Sequence, residues 1–150
     1  MDIQRFIAAA LRPREATVDV PELAEWFPDG PPRWVVRGLT AAEFVHTREG
    51  NGDALRTLIT ALAGDGDKAA AIRAALGVSG DQVPADVSRR IEALAIASVS
   101  PSLGENNRDV AVKLAETFPI VFMKVTNAID GLTVQGAEPG KLKRSGESPA

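Results

Sequence analysis

The chain has no cysteine and no tyrosine, one histidine, two tryptophans and two methionines among 150 residues. Without cysteine there are no disulfides and no thiolate metal ligands. That suits a reducing compartment without requiring one. One histidine, His46, leaves too few imidazoles for a transition-metal centre. With no tyrosine and aromatics at only 5%, there is no aromatic–arginine platform on which a nucleic-acid strand could stack. Positive charge is also short. The 17 Lys and Arg against 20 Asp and Glu give a net charge of −3, whereas nucleic-acid binding needs a basic stripe. Long apolar runs are missing too: no segment approaches the ~20 residues of a membrane span. The apolar cluster Met1–Leu11 carries Asp2 and Arg5 within it, unlike a secretory leader. The expectation is a soluble cytosolic chain of one domain, its 45% apolar content enough for a core.

The pattern that is present changes register once. Before position 38, apolar residues alternate. After it, they recur mostly at helical spacing. Ile3, Phe6, Ile7, Ala10 and Leu11 predict a helix over 2–11, ended by Arg12-Pro13 because proline disfavours helical geometry in its predecessor. Val18 and Val20 alternate with Thr17 and Asp19, predicting a strand over 16–20. Pro21 to Phe27 fits one helical turn presenting Trp26 and Phe27. The turn-rich run Pro28-Asp29-Gly30-Pro31-Pro32 separates the first strand from a second, 33–37, with Trp34 and Val36 on one face and Arg33, Val35 and Arg37 on the other. The two strands are expected to pair antiparallel, and such a pair must lean on helices or on another subunit. Thr40-Ala41-Ala42-Glu43 is a capping box that opens the next helix, with Gly38 easing the turn before it.

Phe44, Val45, Leu55, Leu58, Ile59 and Leu62 line one helical face, with a break expected at Gly50–Gly52. A loop at 64–67 precedes a helix at 68–76, for which Gly77 is the left-handed cap. The next helix, 84–98, opens at Pro84 and carries Val87, Ile91, Leu94, Ala95 and Ser98 inward, with Arg89, Arg90 and Glu92 outward. In 107–117, Val110, Ala111, Leu114 and Ala115 face inward. Pro119 starts a helix whose apolar arc, Ile120 to Leu132, is too wide for a lone surface helix, so it is either central or docked to a partner. Beyond Val134 periodicity is lost, and a flexible, disordered tail is expected. The fold class is thus α+β, mainly α. A short antiparallel strand pair precedes a four- to five-helix bundle in a domain over 1–133, and a tail spans 134–150.

Chemistry is hard to find. His46 has only Thr47, Glu43 and Glu49 nearby in sequence, which supplies no nucleophile–base–carboxylate arrangement. Asp65-Gly66-Asp67 opens like a calcium loop but lacks the later ligands. Gly50-Asn51-Gly52 is followed by Asp53, which repels phosphate. No catalytic, cofactor-binding or metal residue is assigned, and neither is a small-molecule substrate. Apolar anchors remain: Trp26, Phe27 and Trp34 early, and Phe118, Phe122 and Met123 late. Aromatics and methionine are the usual anchors of binding surfaces, and these six are the candidate partner-binding residues. The marginal strand pair and the wide apolar arc also suggest self-association.

The runs Thr17-Val18-Asp19-Val20-Pro21-Glu22-Leu23 and Trp34-Val35-Val36-Arg37-Gly38-Leu39-Thr40 resemble the small tail assembly chaperones of long-tailed phages and prophages. Val83-Pro84-Ala85-Asp86-Val87-Ser88-Arg89-Arg90-Ile91-Glu92, Val112-Lys113-Leu114-Ala115-Glu116-Thr117-Phe118-Pro119 and Gln135-Gly136-Ala137-Glu138-Pro139-Gly140-Lys141 are similar to them as well. The resemblance runs in order along nearly the whole chain. It implies a non-enzymatic factor in the host cytoplasm, absent from the mature virion. Such a factor binds the tape measure protein, keeps it soluble and helps recruit tail tube protein. One departure is Glu49–Asp53, where the family would be expected to have a continuous charged helix. A structural tail or head–tail connector protein is the alternative, and a small regulator of a host protein is the third.

Overall fold

The computed structural model of the chain describes residues 1–48 and 85–140. Numbered within these residues, the helices are α1 (Ile3–Ala8), α2 (Ala41–Arg48), α3 (Ala85–Ala97), α4 (Arg108–Thr117) and α5 (Pro119–Gln135). The strands are β1 (Leu11–Pro13), β2 (Glu15–Asp19), β3 (Arg33–Arg37), β4 (Ser98–Ser100) and β5 (Ala137–Pro139). Short 3₁₀ helices lie at Pro21–Trp26 and Glu105–Asn107. The architecture is mixed α/β with two small antiparallel sheets.

The alternating residues 15–19 and 33–37 pair as expected, with Val18 opposite Trp34 and Ala16 opposite Val36. Their common face is apolar and is covered by α5, which packs on both strands. A strand not foreseen, β4, adds to the other edge of β3 through Val35–Ser100 and Val36–Ser98, with an irregularity between them. It takes over from the predicted 84–98 helix at its last residue, Ser98, the helix itself ending at Ala97. Three residues are too few for an alternation to be visible, and Ser98 fits either pattern.

Between β3 and α2 the capping box forms: Thr40 Oγ1 accepts from the Glu43 N–H at 3.3 Å and Glu43 Oε1 from the Thr40 N–H at 3.0 Å. Gly38 serves a different purpose from the turn expected of it. A Cβ there would lie 3.1 Å from the backbone C and O of Leu132, so its lack of a side chain lets the corner close onto α5.

Helix α5 is central: it packs on α3, α4, β2 and β3, while α2 packs on α3. Val121, Phe122, Val125, Ile129 and Leu132 are buried along it, against Ile91 and Leu94 of α3 and Ala111, Val112 and Leu114 of α4. Several expected orientations are reversed, including that of Glu92, whose side chain is enclosed and accepts from Arg108 at 2.7 Å. Arg89 and Arg90 do not face solvent: Arg89 forms a two-pronged pair with Asp130 at 2.9 and 3.1 Å, and Arg90 reaches Thr126 and Asn127 on α5 at 2.9 and 2.8 Å. The guanidinium forks let charged residues sit at a helix–helix seam because they find acceptors on both sides of it, Asp86 on α3 and Asp130, Thr126 and Asn127 on α5. Val110 points outward, exposed at the first turn of α4.

The expected helix over 2–11 is shorter, and Leu11–Pro13 is instead a strand paired with Ala137–Pro139. This corrects the expectation of a structureless segment from Val134. Helix α5 runs on to Gln135, and Gly136, at φ +75°, turns the chain back into β5. Only a glycine adopts that conformation readily. Glu138 fixes the ribbon, accepting from Arg14 at 3.1 Å and from Arg12 at 3.4 Å. The expected break at 50–52, the loop at 64–67, the helix at 68–76 with its Gly77 cap, the Pro84 start and the tail over 141–150 lie outside the described residues.

Candidate interaction surface

The six candidate residues divide by burial. Trp34 and Phe122 are each 3% exposed. Trp34 Nε1 donates to Ser98 Oγ at 3.0 Å, and that hydroxyl donates to the Leu94 carbonyl at 2.6 Å, so the indole is fixed within the core. The expected partner-binding role of these two is therefore corrected: both side chains are packed in the core. Phe27 and Phe118 are half-buried against the core. Trp26 is 61% exposed and Met123 37%.

The structure brings Trp26 and Phe118 together from opposite parts of the chain. Pro21 opens the 3₁₀ turn, Leu23 anchors it in the core, and the Phe27 N–H bonds the Ala24 carbonyl at 3.1 Å. Trp26, the last residue of that turn, is thus held outside. Phe118 sits at the corner between α4 and α5. Its N–H bonds the Leu114 carbonyl at 2.8 Å, and its own carbonyl accepts from the Phe122 N–H at 2.9 Å. The two rings meet edge to face, with centroids 5.7 Å apart and planes at 74°, an arrangement aromatic pairs favour.

Ile120, two residues beyond Phe118, is 78% exposed. It lies one helical step from Met123 on the face of α5 opposite Phe122 and Val125. Sequence reasoning had counted it among the apolar arc without separating it. The usable signal was its place directly after Pro119, where the first turn of a helix has no preceding turn to pack against. Glu22, Glu25 and Asp29 are exposed around the 3₁₀ turn and the loop after it. Lys124 ties this end to the sheet by donating to the Asp19 carbonyl at 2.6 Å. Trp26 is thus an exposed aromatic resting on Phe118, with Ile120 separately exposed at the first turn of α5.

A second feature is a cleft of about 330 Å³ between α2 and α3, lined by Glu43, His46, Ile96 and Arg108. Its polar groups are engaged with one another. Arg37 donates to both oxygens of Glu43 at 2.8 and 2.7 Å. These bonds, with a further one from the Thr40 backbone, hold the Glu43 carboxyl down at about 2 even though burial acts the other way. Arg108 donates to Glu92 Oε2 at 2.7 Å, and His46 Nε2 lies 4.0 Å from the same oxygen. His46 thus has an acidic neighbour 46 residues further along the chain, but among the described residues no hydroxyl, thiol or amine lines the cleft to act as nucleophile. Among the described residues, no group of three or more His, Asp or Glu is placed to hold a metal. No helix among them is long and apolar enough to cross a membrane.

No protein-family model, curated protein or solved structure matches this chain.

Proposed function

We propose that this chain is a tail assembly chaperone of a long-tailed phage or prophage, a non-enzymatic holdase for the tape measure protein that also helps bring tail tube protein to it. The reading rests on the family-like runs of the sequence. The observation that supports it is the exposed Trp26 edge-on against the half-buried Phe118. Large aromatic anchors suit the apolar stripe of an amphipathic helix, one of the recurring ways a helical partner is bound. A tape measure protein is long and helical and offers many such stripes. In this reading α2 to α5 belong to a four- to five-helix bundle. The protein works in the host cytoplasm and leaves before the particle is complete.

Co-expression with the adjacent long tape-measure-like protein, followed by pull-down and size exclusion, is the test. The large protein is expected to become soluble and co-elute, and Trp26→Asp or Ile120→Asp to lose that effect while helical circular dichroism is kept. An insoluble, unbound tape measure protein, with this chain present in purified particles, replaces the chaperone by the structural connector.

A further inference from the structure

We draw no further inference here: the strongest candidate, the exposed apolar side of α1 formed by Ile3, Phe6 and Ile7, carries none, because nothing in the structure shows what covers it.

Discussion

The two tryptophans stand eight positions apart and have opposite fates. Trp34 lies on the inner face of β3, opposite Val18, with its ring N–H bonded to Ser98. Trp26 ends a 3₁₀ turn and rests edge-on against Phe118 with most of its surface in solvent. One residue type thus serves the core in one place and the surface in the other. Burial of an indole requires that its N–H find an acceptor, and β4 supplies one to Trp34. The difference teaches that aromatic content in this chain says how much apolar surface exists, and not where a partner would touch it.

The sharpest way to break that distinction is a charge in the core. Phe122→Asp is expected to unfold the protein outright, since a carboxylate buried without a partner is among the costliest single changes. Its near-ultraviolet circular dichroism should vanish together with the far-ultraviolet helix signal. Trp34→Ala should cost about 3–5 kcal/mol through the lost ring and the cavity left behind, read as a fall in the urea midpoint. Ser98→Ala removes only the acceptor of the indole N–H and should cost about 1–3 kcal/mol, a smaller shift in the same measurement. Preserved stability in Ser98→Ala would mean that the hydrogen bond does not fix Trp34.

The acid limb gives a further, smaller effect. The Glu43 carboxyl lies at about 2 in the folded chain against an ordinary 4.5. A depressed carboxyl contributes stability that is fully present above its unfolded value and is lost as pH falls through the folded one. Stability from the Arg37–Glu43 pair should therefore decline between about pH 4.5 and about pH 2, and Glu43→Gln should flatten that part of the unfolding curve. An unchanged acid slope in the variant would refute the assignment. Trp26→Glu is the smallest: a surface change of this kind should move stability by no more than about 0.5 kcal/mol. Acrylamide quenching makes the comparison direct, since the accessible part of the fluorescence should disappear with Trp26 while the shielded part persists.

Legibility followed the range of the interactions. The Thr40–Glu43 box and the pairing of residues 15–19 with 33–37 could be read because each rests on residues close in sequence. The β1–β5 ribbon could not. Its strands have three residues each, too short for a periodicity, and the Arg14–Glu138 bond that fixes them spans 124 positions. Arg89 and Arg90 looked like a solvent face because charge usually marks one, and only the approach of α5 brought Asp130 to them. The split among the six aromatic and methionine candidates was likewise invisible. Periodicity assigns a residue to a face of its own element and says nothing of what lies against that face.

By itself the sequence determined the local elements: the caps, the alternation of β2 and β3, the prolines that open the 3₁₀ turn and α5, and the shortage of reactive side chains. These depend on backbone geometry and on neighbours a few residues away, which the sequence states directly. Only the tertiary structure decided that Gly38 is small because Leu132 presses on it, and that Trp34 is core while Trp26 is surface. Those outcomes depend on which distant faces meet, and burial is a property of the meeting of two surfaces and not of either sequence segment alone.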